Sequence, residues 1–424
     1  MSVDSKPTSV DPATQTELDE LLTRLTEART TSIGFPAATD FDYRPLIPFL
    51  GYLLNNLGDP NVDGAYPHHT KQQEREAVNL IADLLRAPEH DRWGYVAGGA
   101  SEGSEYALHL ARARLPGGIV YHSRAAHHCI SQAIDRLAMP AISVRTDDHD
   151  EIDYADLAIQ VDRHRHRPAI VVANIGTALA EAVDDVRRIS QLLDDLAMHR
   201  RWVHADAALS GIPLALLDPD DRPGFDLTDG ADSIIVSGHK FLGSPIPYGV
   251  VLVRDSHRPY GARAATYTGS PDSTLTNSRS GLAVLGLWYT LRCHGIDGLR
   301  VRAEQSRALA AYTHGRLVEI GWQAHHHRHA FTVVLDTPSI PVAEKWALPS
   351  QGGRSHVICM PGVTRDQIDA FITDLQAAIN QTSATPVVEG RRSRRLLRGM
   401  RQPATVTAHL RTTAITSTPQ GAGG

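Results

Sequence analysis

A repeated succession of short apolar segments and amphipathic helical patterns is the feature that most constrains the fold of this chain. Each apolar segment is almost continuously hydrophobic, and most are followed by a stretch with helical periodicity. Strands of this type are usually buried on both faces of a parallel sheet. The pattern therefore predicts an α/β fold with a mostly parallel central sheet. The predicted strands are 93–97, 118–121, 169–174, 202–206 and 233–238.

The order of the elements changes after about residue 296. A long helical pattern (299–318) is followed by apolar strands at 330–336 and 355–360 and by a helix at 364–380, which predicts a small α+β domain. YGVVLV (248–253), close behind the preceding strand, is a candidate strand of opposite direction. We therefore expect an N-terminal tail (1–30), an N-terminal segment (31–90), a large domain (91–295), a small C-terminal domain (296–382) and a basic tail (383–424).

The net charge of −6 is distributed unevenly along the 424 residues. Residues 391–424 contain seven arginines and no acid, so the rest of the chain carries −13. An acidic body argues against a nucleic-acid footprint over the whole domain, and we expect no nucleic-acid partner. The tail is predicted to be disordered and solvated, with an electrostatic contact to an acidic surface or nucleic acid as the alternative.

Several features predict a cytoplasmic protein without a membrane-bound segment. No stretch approaches the roughly 18 uninterrupted apolar residues of a transmembrane helix. The first 17 residues are polar and lack an apolar signal core. The three cysteines, Cys129, Cys293 and Cys359, are far apart and odd in number, which favours a reducing compartment.

Lysine is rare in this chain, so chemistry that needs an amine has few candidates. Only four of the 42 basic residues are lysine. Lys240 follows the apolar strand 233–238, where burial would favour the neutral amine that condenses with carbonyl groups. Lys6 lies in the predicted tail, and Lys71 and Lys345 are predicted in polar helical surroundings. Lys240 is thus the reactive candidate, with a loop lysine paired to an acid as the alternative.

Three further groups follow predicted strands, where ligands of open α/β sheets bind. The Gly-rich segment GGASEG (98–103) is compatible with an anion site at a helix start, and equally with a tight turn. Asp206 ends an apolar strand and needs a cation there, such as a protonated ring nitrogen, or serves as an N-cap or structural salt bridge. His127 is suited to stacking on an aromatic ring or to proton exchange.

A lysine, an acid, a phosphate turn and a stacking histidine together fit the cofactor pyridoxal 5'-phosphate. Ser237 and His239, which precede Lys240, are able to donate to its phosphate. A metal is not expected: the run HHHRH (325–329) has no carboxylate or cysteine companion at ligand spacing.

These residues carry a resemblance to a known family. The sequence resembles the pyridoxal-phosphate-dependent group II amino-acid decarboxylases, in the branch of bacterial histidine decarboxylases and plant serine decarboxylases. The resemblance extends from about residue 34 to about residue 375. It implies an aspartate-aminotransferase-like (fold type I) large domain. The segments that carry it are NNLGDP (55–60), NIGT (174–177), HADAALSG (204–211), SGHKFLGSPIPYGV (237–250) and CMPGVT (359–364).

The resemblance also implies a role for each matched residue. Lys240 would carry the cofactor as a Schiff base, Asp206 would keep its pyridine nitrogen protonated, and Tyr267 would protonate the product carbanion. His127 and Ala208 would cover the two faces of the ring, with Asn174 and Thr177 beside it. The expected phosphate ligands are Ala100, Ser101, Ser237 and His239. Ser278 and Arg279 would lie at a dimer interface near the active site, with Ser278 also touching the cofactor.

The activity implied is decarboxylation of an L-amino acid to its amine and carbon dioxide by a homodimer whose site lies at the subunit interface. L-histidine is the expected substrate, because histidine decarboxylases are the bacterial members of this branch. L-serine, giving ethanolamine, is the alternative, since residues 55–74 are closer to the serine branch. The family's Asn and His near the dimer interface are replaced here by Ser280 and Leu282, which leaves another amino acid open. An aminotransferase or synthase on the same fold is a further alternative.

Overall fold

The computed structural model describes residues 10–258, 264–265 and 267–384. Seven strands form its central sheet: β1 (Trp93–Ala97), β2 (Ile119–Ser123), β3 (Ala141–Val144), β4 (Ala169–Asn174), β5 (Arg201–Asp206), β6 (Ser233–Ser237) and β7 (Gly249–Val253). Their spatial order is β1-β7-β6-β5-β4-β2-β3. Strand β7 is antiparallel to both of its neighbours, and the other neighbouring pairs are parallel. The predicted α/β fold with a mostly parallel sheet is confirmed, as is the opposite direction of 248–253.

Two smaller sheets follow the central sheet along the chain. The strands β8 (Ala264–Ala265) and β9 (Ser270–Pro271) pair with each other. An antiparallel sheet in the order β10-β11-β13-β12 is built from β10 (Ala324–His325), β11 (Thr332–Asp336), β12 (Ser350–Gln351) and β13 (Arg354–Ile358). Its apolar side chains, among them Val333 and Leu335, pack with Phe371 and Leu375 in a core of their own.

Helices connect the strands. The α-helices of the described ranges are α1 (Pro12–Thr31), α2 (Lys71–Leu84), α3 (Ala100–Arg114), α4 (His128–Arg136), α5 (Tyr154–Arg163), α6 (Val186–Asp195), α7 (Gly211–Ala215), α8 (Gly281–Glu319), α9 (Ile340–Lys345) and α10 (Arg365–Ala384). Short 3-10 helices occur at Arg44–Gly51, Glu89–Asp91 and Asp255–His257, and a π-helical turn at Gly238–Gly243. Sequence patterning did not predict α1, which Asp11 caps and which buries none of its residues.

The central sheet is buried on both faces, because its side chains alternate between two apolar cores. On β4, Ile170 and Val172 belong to one core, whereas Val171 and Ala173 belong to the other. This two-sided burial explains why the strands are almost continuously hydrophobic. Within the described ranges, no helix is long and apolar enough to cross a membrane.

The predicted domain boundaries remain predictions. Helix α8 is interrupted at Gly295, whose φ of 59° is not helical, one residue before the predicted start of the small domain. Residues up to Asn380 nevertheless form one compact unit. Lys6 and almost all of the predicted basic tail, residues 385–424, lie outside the described residues.

Candidate active site

A cavity of about 460 Å³ lies at the carboxyl ends of the central strands. The strand register brings these ends together: Asn174 on β4 is opposite Asp206 on β5, and Ser237 on β6 is opposite Gly249 on β7. Crevices at this edge are where open α/β sheets bind ligands. Ten of the residues predicted for the site line this cavity, namely Ala100, Ser101, His127, Asn174, Thr177, Asp206, Ala208, Ser237, His239 and Lys240.

One end of the cavity has free hydrogen-bond donors that suit an anion. Helix α3 begins there, and its N-cap residue Gly99 has no side chain to satisfy the first amide groups. The Ser237 hydroxyl is buried and has no hydrogen-bond partner among the described residues. A buried hydroxyl without a partner is costly, so a bound group that accepts its hydrogen bond would stabilise this arrangement. The phosphate of pyridoxal phosphate fits these donors.

The turn that carries Lys240 packs tightly on β7. A Cβ atom added at Gly238 would lie 1.6 Å from Cε2 of Tyr248, whose ring is fully buried. The Gly238 amide donates to the Tyr248 carbonyl at 2.9 Å, and Nδ1 of His239 lies 3.2 Å from that same oxygen. Glycine is therefore required at position 238 to hold the lysine turn against the sheet.

We expect Gly238→Ala to lower the thermal unfolding midpoint by several degrees. The added methyl group overlaps a buried ring, and overpacking of this kind costs about 1–3 kcal/mol or more. Gly315→Ala is the matched control, because a Cβ at Gly315 in α8 meets no atom within 4 Å and alanine favours a helix. Calorimetry on both variants checks this, and a wild-type midpoint for Gly238→Ala would contradict it.

Lys240 and Asp206 are charged side chains of the cavity wall, which also includes Glu102. Burial lowers the pKa of the Lys240 amine, and the nearby Asp206 carboxylate opposes this shift. A lowered pKa increases the fraction of the neutral, nucleophilic amine. Asp206 is buried and forms no ion pair with any residue of the described ranges. Its carboxylate is therefore available to a cationic group in the cavity, such as a protonated pyridine nitrogen.

Asn174 and Thr177 are held by groups that sequence reasoning missed. The Asn174 side chain donates to the Asp184 carboxyl at 2.9 Å and to the Ser123 hydroxyl at 3.0 Å. Burial raises the pKa of Asp184 to about 7. The Thr177 hydroxyl accepts from the Ala182 amide at 3.0 Å. The pair of acids in AVDDV (182–186), soon after NIGT, was the available signal for Asp184.

His127 occupies the start of α4. Its Nδ1 accepts a hydrogen bond from the Cys129 amide at 3.3 Å, and burial lowers the pKa of its imidazole. Cys129 itself lines the cavity, which the sequence did not predict, and burial raises the pKa of its thiol to about 11. The imidazole is thus fixed on one wall, in a position to cover a flat ring.

Tyr267 and Ser278 do not line the cavity of their own chain. Tyr267 is 75% exposed. Ser278, expected to touch the cofactor, accepts a hydrogen bond from the Asn55 side chain at 3.2 Å. Its neighbour Arg279 is buried and pairs with Glu74. Neither Tyr267 nor Ser278 touches the cavity of its own chain, so a role at an active site would place them at the cavity of another subunit.

Lys71 has the polar, helical surroundings that the sequence predicted, with Glu74 and Arg279 among its charged neighbours, but it is buried. Lys71 begins α2 but is 1% exposed, and its ammonium group donates to the Val62 carbonyl. Burial lowers its pKa as well. Lys345 is half-exposed and pairs with Asp374 at 2.6 Å. Burial alone therefore does not single out Lys240; its position on the cavity wall does.

The chain was compared with known proteins by sequence. A family model described as the pyridoxal-dependent decarboxylase conserved domain matches residues 63–322. A histidine decarboxylase from Mesorhizobium japonicum is 42% identical over 363 residues, which cover 86% of this chain and 98% of that protein. Serine decarboxylase 2 from Oryza sativa subsp. japonica is 34% identical, over 81% of this chain and 73% of that protein.

Among solved structures, the L-methionine decarboxylase of Streptomyces sp. 590 is similar to this chain. The match has a TM-score of 0.80 and 25% sequence identity, and it covers 88% of this chain and 96% of that one. The expected fold type I architecture and the cofactor pyridoxal phosphate are confirmed by these likenesses.

Proposed function

The chain belongs to the pyridoxal-dependent decarboxylase family, and from this premise we propose that it converts L-histidine to histamine and carbon dioxide. The choice of histidine as the substrate rests on the 42% identity to a histidine decarboxylase over 98% of that protein's length. L-serine is the second candidate, favoured by the 34% identity to a serine decarboxylase. The net reaction replaces a carboxylate by a proton at the same carbon.

The cofactor supplies an electron sink, which accepts the electron pair of the bond between Cα and the carboxylate. Lys240 is proposed to hold it covalently and to exchange places with the substrate amine. Asp206 is proposed to keep its pyridine nitrogen protonated, which is what makes the ring electron-withdrawing. Asp206 forms no ion pair with another described residue, which supports this role.

The remaining cavity residues are proposed to orient the ring. His127 would cover one face and Ala208 the other, while Asn174 and Thr177 lie at its edge. The phosphate would be held by Ala100, Ser101, Ser237 and His239. The Ser237 hydroxyl is buried without a hydrogen-bond partner among the described residues, which supports placing the phosphate at this end of the cavity. These groups lie at the ends of the central strands, at the starts of α3 and α4 and in the segments that follow the strands, so the site is built largely on regular elements.

We propose that the active form is a homodimer in which Tyr267 of each subunit serves the other subunit's cavity and protonates Cα. The segment 47–53 supports this, since it exposes large apolar side chains, including Leu50 (66%) and Leu53 (79%). Contiguous exposed apolar residues mark protein interfaces. We also place the enzyme in the cytoplasm, in keeping with its three free cysteines.

We expect the double variant Leu50→Asp, Leu53→Asp to be monomeric and to lose nearly all activity. Two carboxylates would have to be buried without partners at the interface. Val301→Asp is the control, since Val301 is also exposed, on α8. Sedimentation velocity and amine production check both variants; a fully active monomer would rule out a shared site.

The substrate proposal is tested by incubating the purified, cofactor-loaded protein with equimolar histidine, serine and the other amino acids. Histamine and carbon dioxide in equal amounts are the expected products. Ethanolamine as the main product would establish the serine alternative. A keto acid without carbon dioxide would instead indicate an aminotransferase.

A further inference from the structure

A buried carboxyl group, Glu181, lies between the cavity and the four-stranded sheet of β10–β13, here called the second sheet, and has no part in the proposed chemistry. It belongs to the segment that follows β4, four residues after Thr177. Its side chain accepts from the Ser210 hydroxyl at 2.9 Å and from the Phe331 amide at 3.2 Å. Glu181 therefore connects three separate parts of the chain: the segment after β4, the segment after β5, and the start of β11.

Two of these connected parts form walls of the active site. Thr177 lines the cavity, and its carbonyl accepts from the Glu181 amide at 2.9 Å. Ala208 and Leu209, which immediately precede Ser210, line the cavity as well. A shift of the Glu181 side chain would thus be transmitted to both walls through short, direct contacts.

The backbone of Glu181 does not explain the choice of a glutamate. Its φ of 57° lies in the left-handed region, where glycine is favoured over any residue with a side chain. The packing around it is also tight, since a Cβ at Gly176 would lie 2.2 Å from the Ser210 hydroxyl oxygen. A buried, ionisable side chain thus occupies a left-handed backbone position that glycine would fill with less strain, which points to a role for the carboxyl group itself.

We propose that Glu181 is a positioning residue of the active site: its carboxyl group, held by Ser210 and Phe331, fixes the two cavity walls against the second sheet. A second connection acts on the same segment, because Nδ1 of His356 lies 3.0 Å from the Leu179 carbonyl. The Glu181 contact differs from this one in that its strength depends on ionisation. Ser210 and Phe331 both donate, so they bind the carboxylate better than the neutral acid.

The carboxyl group of Glu181 ionises near neutral pH. Burial raises its pKa to about 7, while the hydrogen bonds that it accepts oppose the shift. As pH rises through this value the carboxylate forms and the contact tightens, so we expect activity to rise with pH. The charged or titratable groups of the described ranges that interact with it electrostatically are Arg307 on α8, Cys359 after β13 and Lys240.

The test uses the cofactor-loaded enzyme and two substitutions. Glu181→Gln keeps the shape but cannot ionise, so its kcat at about pH 8.5 should fall to roughly a tenth of wild type while the two converge near pH 5.5. Glu181→Gly suits the backbone but removes the side chain, and it should lower kcat at every pH. Glu344→Gln, on the exposed face of α9, is the control and should follow the wild type.

A readout without substrate separates this inference from the proposed function, on which its kinetic part depends. Amide hydrogen exchange in residues 175–183, compared at about pH 8.5 and corrected for intrinsic rates, should be faster in both Glu181 variants than in the wild type, and unchanged in β1–β3. If Glu181→Gly does not fold, Glu181→Gln decides alone. The proposal would be overturned if Glu181→Gln had the pH profile of kcat, or the amide exchange rates, of the wild type. If the protein does not decarboxylate histidine, the exchange measurement by itself decides.

Discussion

Lys240→Ala is expected to lose the covalent link to the cofactor and to lower turnover by roughly 10⁴-fold or more. No other lysine of the described ranges lines the cavity, so no amine replaces it there. The visible absorbance of the bound cofactor checks the link, and amine production checks the turnover. Lys345→Ala, at a surface ion pair, is the control and should leave both unchanged.

Lys71 makes the Lys240 prediction a sharp one, because burial lowers the pKa of both amines although Lys71 is buried and Lys240 only partly so. Reduction of the wild-type enzyme with borohydride, followed by peptide mapping, should place the cofactor on Lys240. Label on Lys71, or repeated turnover by Lys240→Ala, would refute the assignment.

Asp206→Asn should lower kcat by about 10²–10³-fold while leaving the fold intact. Asparagine is nearly isosteric and still accepts the Ala208 amide, which lies 3.3 Å from the Asp206 oxygen. It carries no charge, so the pyridine nitrogen would no longer be held in its protonated form. The exposed Asp220 provides the matched control, Asp220→Asn.

The Asp206 measurement needs cofactor binding and kcat to be determined separately. A kcat loss at full cofactor occupancy is the expected pattern. A loss explained entirely by weaker cofactor binding would make Asp206 an anchoring group and not an electronic one.

Much of the fold was predictable because it is recorded in local patterns. Continuous apolar runs such as 169–174 indicate strands buried on both faces, and the seven-stranded sheet contains all five of them. Residues predicted at or after the ends of those strands make up most of the cavity wall, because parallel strands end at the same edge of the sheet. Helix α1 escaped prediction, since none of its residues is buried and it has no clear apolar stripe.

The parts of the site that were missed depend on contacts between distant residues. Lys71 looks like an ordinary first residue of a polar helix, and only the packing of residues around Val62 buries it. Asp184 and Glu181 look like surface acids of a loop, yet each is fully enclosed. Ser278 contacts Asn55, more than two hundred residues earlier in the chain, and its role at the cofactor stays a prediction.

The sequence by itself determined the chemistry of this protein: four lysines, one of them after a buried strand and beside a serine and a histidine, together with an acid that ends another strand. These signals are local in the chain, so they can be recognised from the sequence alone. Only the tertiary structure decided which of the two lysines with a lowered pKa faces the cavity, and that Glu181 joins two of its walls to the second sheet. Burial and hydrogen bonds between residues far apart in the chain, such as Glu181 and Phe331 at a separation of 150 positions, leave no periodic trace in the sequence.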